Sequence, residues 1–151
     1  SAATAGRFEF DIYGGGGAMS KLVDAVNDQC LKNINIFDPV KRHDLLDVYL
    51  DADILFLHLN DNEAFKKIIP SKIFELSCFN KPILAGVSGY AAEFIRSEIP
   101  DTIVFEPCDG RDMLDKILTI NYVVKTRSEF LEKYQREKLD KQLAESIISY
   151  L

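Results

Sequence analysis

The chain has 151 residues, of which 47% are hydrophobic and 28% charged, and it carries a net charge of −6 with a pI near 4.9. That length and composition are typical of one globular domain whose core needs no metal or disulfide. The acidic balance argues against binding by bulk attraction to nucleic acid or to anionic lipid.

Two further features of the sequence indicate the cellular compartment. The three cysteines are widely spaced, with no CxxC pair and no Cys/His cluster, which favours a reducing compartment over a disulfide framework or a zinc site. Cys30 and Cys78 sit among apolar residues and are predicted to be small core side chains. We recognise no signal peptide and no apolar run near 18 residues, so we expect a cytoplasmic protein without a transmembrane segment.

Short strands and amphipathic helices alternate along the chain. The strands are predicted at residues 7–13, 33–37, 53–59, 82–87 and 102–105. The helices are predicted at residues 18–31, 41–51, a short stretch from Pro70, 88–98, 109–120 and 128–151. The near-continuous apolar run of residues 53–59 indicates a strand covered on both faces, and Leu46 and Tyr49 are expected to point inward from the helix before it.

This alternation predicts the α/β class with parallel βαβ units. We expect one Rossmann-like domain over residues 1–151: a doubly wound parallel sheet of about five to six strands with helices on both faces and C-terminal helices packing back. In such sheets, ligands bind outside the carboxyl ends of the strands. The loops of interest are therefore residues 14–17, 38–41, 60–71, 86–90 and 106–110.

The segment Pro70–Glu75 lies in one of these loops and carries the most chemistry. Proline suits a first helical position. Ser71 and the backbone N–H groups that follow it can hold an anion such as a pyrophosphate, and Lys72 adds a positive charge. About one turn later, Glu75 can accept hydrogen bonds from a diol such as a ribose. The alternative is an ordinary helix start with no ligand.

Three other features have simpler interpretations. The run Gly14–Gly17 lacks both the P-loop ending and the GxGxxG spacing; a tight strand-to-helix turn, an approach to phosphates and a dinucleotide fold using Asp38 all stay open. His58 ends a strand on the face opposite Leu55 and is expected to be a buried or rim histidine with one hydrogen bond. Asp109 is predicted to cap the next helix.

Taken in order, the motifs resemble a known family. A strand running into Gly14–Gly17, the Asn33–Phe37 strand, the Ala52–Phe56 strand, Pro70–Glu75, Lys81–Ala85 and Val104–Asp109 together resemble the C-terminal, donor-binding half of GT-B-fold glycosyltransferases. The likeness is to the retaining family-four type of bacterial surface polysaccharide synthesis, and it runs from about residue 8 to residue 151.

The resemblance implies a UDP- or GDP-sugar donor, a glycan or lipid-linked acceptor, and no metal or other cofactor. It places Glu75 on the ribose, with Ser71, Lys72 and their neighbours Pro70 and Ile73 at the diphosphate. Val40 is expected against the base. Gly15 and Gly16 are expected near the phosphates.

Two departures qualify the resemblance. Lys67 stands where many relatives carry a second glutamate that touches the donor sugar; here it is expected to contact phosphate or sugar. An opening strand and helix and the N-terminal acceptor domain are not found, so we expect a domain of a longer enzyme, acting in the cytoplasm or at the inner face of the membrane. A nucleotide-sugar 2-epimerase and a non-catalytic interaction domain remain as alternatives.

Overall fold

The computed structural model describes residues 6–123 and 126–149, which form a mixed α/β structure. The strands are β1 Phe10–Tyr13, β2 Ile34–Phe37, β3 Leu55–His58, β4 Ile83–Gly86 and β5 Thr102–Phe105. The helices are α1 Met19–Asp28, α2 Arg42–Asp51, α3 Lys72–Leu76, α4 Gly89–Glu98, α5 Gly110–Ile117, α6 Ser128–Lys133 and α7 Arg136–Ile148, with a 3-10 turn at Phe65–Lys67. The predicted α/β class and the order of elements are confirmed.

The five described strands form two sheets instead of one, and each pairing within a sheet is parallel. β1 pairs with β2, with Phe10 opposite Ile34, and the second sheet has the order β3-β4-β5. In this second sheet, His58, Gly86 and Phe105 share one register. The alternation of apolar and polar residues identifies a strand but says little about which distant strand it pairs with. The division into two sheets could therefore not be predicted from the sequence.

The chain also divides into two compact units, a first unit Ser1–Val48 and a second unit Tyr49–Leu151. The first contains β1, α1, β2 and most of α2, and the second contains the remaining elements. Each is described by itself below. The assignment of residues 1–151 to one Rossmann-like domain stays a prediction.

The first unit has no buried residue among those described. Its sheet is held by the β1–β2 ladder and by the stacked rings of Tyr13 and Phe37, whose centroids lie 4.6 Å apart. Across the pair of strands, the side-chain amide of Asn35 in β2 donates to the Glu9 and Asp11 carboxylates, at 2.7 and 2.8 Å. Local polar contacts and ring stacking therefore hold this unit more than burial does.

The second unit has a dense apolar core. Every residue of β4 is buried, as are Ala91, Ala92 and Ile95 of α4 and Ile73 and Leu76 of α3. A cluster of four aromatic rings joins three helices, with adjacent ring centroids between 4.8 and 6.5 Å apart: Phe74, Phe94, Phe130 and Tyr134. Burial of this kind is the main source of stability in a domain of this size.

Several expected burials are wrong. Cys30 and Cys78 are exposed, Leu46 is 47% exposed, and Phe56 is 48% exposed because only the Leu55 and Leu57 face of β3 is buried. The predicted C-terminal helix is two helices broken at Tyr134 and Gln135; α6 packs through Phe130, whereas α7 has no buried residue. Among the described residues, none of the helices combines the length and the apolar character that crossing a membrane needs.

Candidate functional site

The carboxyl ends of β3, β4 and β5 form one edge of the second sheet. Beyond the strands, Leu59 N–H donates to the Gly86 carbonyl at 2.9 Å and Val87 N–H donates to the Phe105 carbonyl at 3.2 Å. The loops that leave the three strands therefore start side by side. In open parallel sheets this edge is where ligands bind, which makes it the candidate site of the second unit.

Pro70 and Ser71 lie between the β3 loop and α3. Ile73 N–H donates to the Pro70 carbonyl at 3.0 Å, and Phe74 N–H donates to the Ser71 carbonyl at 3.2 Å, so the first turn is tight. The Ser71 hydroxyl makes no capping bond and its side chain is exposed. Among the described residues, the N–H groups of Ser71 and Lys72 have no backbone acceptor, and so both are available to a ligand.

Lys72 and Glu75 form an ion pair one turn apart. Lys72 Nζ lies 3.4 Å from Glu75 Oε2, and the two side chains are 40% and 33% exposed. The helix spans only five residues, so its dipole adds little and the charge on Lys72 matters more. The pair leaves part of the Glu75 carboxylate open to solvent, where it can still accept hydrogen bonds from a ligand.

Tyr49, at the end of α2, lies beneath this pair. Lys72 Nζ is 5.0 Å from the centroid of the Tyr49 ring, within the range of a cation–π contact. Tyr49 is 7% exposed, so its ring is part of the core of the second unit. Burial disfavours the charge on Lys72, but the Tyr49 hydroxyl and the Glu75 carboxylate outweigh it and raise the Lys72 pKa. Lys72 therefore stays cationic, and its contacts with Tyr49 and Glu75 hold its ammonium in place.

Ile73 and Lys67 have opposite surroundings. The Ile73 side chain is fully buried, and its N–H is used by Pro70, so it supports the segment from the core. Lys67 is exposed in the 3-10 turn and has no ion-pair partner in the described part of the chain, while its neighbour Lys66 pairs with Glu63 at 2.6 Å. Donor binding by either residue stays a prediction.

The 3-10 turn is packed closely against the start of α4. Gly89 has a φ of +61°, and a Cβ atom there would lie 2.5 Å from the Lys66 carbonyl oxygen. Only glycine suits such a left-handed, crowded position. The β3 loop that carries Lys67 is thereby fixed at the same sheet edge.

The other candidate residues, Gly15, Gly16 and Val40, lie in the first unit. Gly16 has a φ of +115° and its carbonyl accepts from Met19 N–H at 3.1 Å, which makes the tight turn predicted for the glycine run. A Cβ atom on Gly15 would lie 3.1 Å from Pro39 Cγ, so the glycine run approaches the loop after β2 closely. Val40, in that loop, is 37% exposed.

A cavity of about 430 Å³ lies at the carboxyl ends of β1 and β2, within the first unit. Its lining is about equally polar and apolar, and it is formed by Gly14, Met19, Val23, Val26, Asn27, Ile34, Ile36, Phe37 and Asp38. The sequence identified the two loops that border this cavity as loops of interest, but it did not predict the cavity itself.

Two contacts at the sites were missed from the sequence. Tyr49 was expected only as an inward side chain, and its place beneath Lys72 depends on how α2 and α3 pack. His58, expected as a buried or rim histidine with one hydrogen bond, is exposed and accepts that bond, but the donor, Cys108 N–H at 3.0 Å, lies 50 residues further along the chain. Asp109 caps α5 as predicted, accepting from the N–H groups of Arg111 and Asp112.

The remaining observations concern metals and relatives. In the described residues, no three His, Cys, Asp or Glu side chains are grouped so that they could hold a metal ion. The sequence matches no protein-family model. Comparisons with curated proteins and with solved structures find no significant match either.

Proposed function

We propose that this chain is the nucleotide-sugar donor domain of a retaining GT-B glycosyltransferase. The full enzyme would move a sugar from a UDP- or GDP-sugar to a glycan or lipid-linked acceptor in bacterial surface polysaccharide synthesis. It would act in the cytoplasm or at the inner face of the membrane, together with an N-terminal acceptor domain. The proposal includes one doubly wound sheet of about five to six strands in the complete domain.

The observation that carries the proposal is the arrangement of Ser71, Lys72 and Glu75 at the start of α3, the helix that follows the loop after β3. Two free N–H groups and an ammonium suit a diphosphate, and a partly exposed carboxylate suits a ribose diol.

In this proposal, the residues bind and neutralise the donor without a metal ion. The N–H groups of Ser71 and Lys72 donate to diphosphate oxygens, and the Lys72 ammonium stabilises the charge that develops on the leaving diphosphate. Lys72 then exchanges its contact with Glu75 for one with phosphate, which leaves both Glu75 oxygens to the ribose. Lys67, exposed on the same edge, contributes a second positive charge.

The deciding experiment is calorimetric titration with UDP, GDP and their sugar conjugates, without added metal, on the wild type and on Glu75→Gln. Loss of a charge-assisted contact to the ribose should weaken binding by about 1.5–3 kcal/mol. The matched control is Glu93→Gln, since Glu93 is exposed on α4 and should not change affinity. Equal affinities of wild type and Glu75→Gln would show that the site is misassigned.

A non-catalytic interaction domain is the second candidate, and the Lys72–Glu75 pair is the observation that favours it. A carboxylate already paired with a neighbouring lysine can be purely structural. In that case Glu75→Gln should alter stability slightly, and neither UDP nor GDP should bind at millimolar concentration to the full-length protein.

A further inference from the structure

His58 joins the end of β3 to the loop that follows β5. Cys108 N–H donates a hydrogen bond to His58 Nε2, with the two nitrogens 3.0 Å apart. A nitrogen that accepts a hydrogen bond cannot carry a proton, so this contact requires the neutral imidazole with its proton on Nδ1. The contact therefore exists in only one protonation state of His58.

The imidazole forms one cluster with two aromatic rings, Phe56 and Phe105, whose own centroids lie 6.0 Å apart. The centroids of Phe56 and Phe105 lie 6.2 and 6.1 Å from that of His58, and the planes are within 4° and 21° of parallel. On β4, the residue in register is Gly86, where a Cβ atom would lie 2.6 Å from His58 Cδ2. The ring thus lies directly on the β4 backbone, and its Nε2 is aimed at the loop.

The loop that His58 contacts, Glu106–Asp109, is anchored at both ends. Glu106 N–H donates to Asp112 Oδ2 at 2.8 Å, and Asp109 caps α5. Cys108, between them, has a φ of 62°, a left-handed conformation that is unfavourable for a residue with a Cβ atom. The bond to His58 holds the middle of the loop in this conformation.

No charged neighbour accounts for the protonation state of His58. The residue is exposed, but partial loss of hydration around its ring lowers the His58 pKa from the ordinary value of 6.5. The facing residues on β4 and β5, Gly86 and Phe105, are not ionisable. Of the ionisable groups on the adjoining loops, Asp109 caps α5, Asp61 pairs with Lys66 at 3.8 Å, and the Glu106 and Cys108 side chains are exposed.

We propose that His58 is a positioning residue that latches the Glu106–Asp109 loop to the carboxyl edge of the second sheet, and that acidification opens the latch. A proton on Nε2 turns the acceptor into a donor that faces the Cys108 N–H, so the bond breaks and the strained Cys108 backbone can relax. This inference does not depend on nucleotide binding, because every contact in it lies within the protein.

The direction of the pH dependence follows from the lowered pKa. The folded state binds fewer protons at His58 than the unfolded state does between the two pKa values. The latch therefore contributes fully to the stability of the folded state above about pH 6.5. This contribution is lost as the pH falls through the lower pKa that His58 has in the folded protein.

The test is hydrogen exchange of the Cys108 amide, followed by NMR on the full chain and expressed as a protection factor at each pH. Between about pH 7.5 and pH 5, protection should fall roughly 2- to 10-fold, the range expected for one net hydrogen bond. The Val87 amide, which donates to the Phe105 carbonyl at the same edge, is the internal control and should keep its protection.

Two variants separate the latch from general packing. His58→Phe keeps a ring but removes the acceptor, so the Cys108 amide should be weakly protected at every pH. His58→Gln offers an uncharged acceptor, so protection should be retained and independent of pH. His43→Gln removes the other histidine and should leave the wild-type profile unchanged. Equal protection at both pH values in the wild type, or full protection in His58→Phe, overturns the proposal.

Discussion

At the scale of single residues, Arg127 bridges two loops of the second unit, the one between α3 and β4 and the one between α4 and β5. Its side chain is 2% exposed, and its guanidinium donates to the carbonyls of Phe79 at 2.7 Å and of Pro100 and Lys81 at 3.0 Å. Burial lowers the Arg127 pKa, but an arginine stays charged at any physiological pH. The five donors of a planar guanidinium suit this bridging of backbone carbonyls.

Replacing Arg127 with methionine should therefore be strongly destabilising. The variant leaves several part-buried carbonyl groups without this donor and empties a buried site, and we expect a loss of about 3–5 kcal/mol in the free energy of unfolding, measured by urea denaturation. Arg127→Lys can donate to fewer carbonyls, so its free energy of unfolding should lie between that of the wild type and that of the methionine variant. Arg96→Met on the exposed side of α4 is the matched control and should stay within about 0.5 kcal/mol of the wild type. A small effect at Arg127 would mean that water replaces the guanidinium.

At the scale of elements, one ion pair joins the end of α4 to α6. Lys133 Nζ lies 2.8 and 2.6 Å from the two carboxylate oxygens of Glu98. The hydrogen bond from Lys133 lowers the pKa of Glu98 below its ordinary value of 4.5, and the same contact raises the pKa of Lys133. Because the Glu98 pKa is lowered in the folded state, its contribution to stability is present above about pH 4.5 and lost as the pH falls through the folded pKa.

The Glu98→Gln variant tests this contribution. Its Tm should lie below that of the wild type near neutral pH, and the difference should shrink toward zero in acid, where the wild-type carboxylate is also protonated. Glu129→Gln, exposed in the first turn of α6, serves as the control variant. A Tm difference that persists unchanged in acid would mean that side-chain shape, and not charge, is responsible.

Most elements could be predicted from the sequence because their signals are local. The 102–105 strand has the predicted bounds, and α4 differs from its prediction by one residue, since apolar period and turn residues mark both. No proline or glycine marks the break between α6 and α7, so the sequence did not predict it. The split of the strands into two sheets depends on long-range pairing, which periodicity does not encode.

The candidate site shows the same limit. Pro70–Glu75 could be located because a proline and a polar first turn mark a helix start after an apolar strand. The positions of Tyr49 beneath Lys72 and of Cys108 above His58 depend on side chains that are far apart in the chain, and no local pattern predicts them. The exposure of Phe56 could not be predicted either, because the sequence shows that a strand is apolar but not which of its faces is covered.

At the scale of the whole molecule, burial is distributed unevenly between the two units. The buried apolar side chains of the described residues all belong to the second unit, including the fully buried Ile73, Ile83, Ala85 and Ile95. The first unit has none, although it contains a parallel pair of strands and two helical segments. Local stability tends to follow buried apolar area, so the two units should differ in how readily they open.

Native-state hydrogen exchange measures this difference directly. Amides of β4 should exchange only through global unfolding, because the strand is central in its sheet and buried throughout, whereas amides of β1 and β2 should be protected at least about tenfold less. Added denaturant should accelerate exchange in β4 steeply and in β1 only slightly, because local opening exposes little surface. The amides of α7, which has no buried residue, provide a second weakly protected reference. Equal protection and equal denaturant dependence in β1 and β4 would show that the chain unfolds as one cooperative body, stabilised by more than the burial seen within each unit.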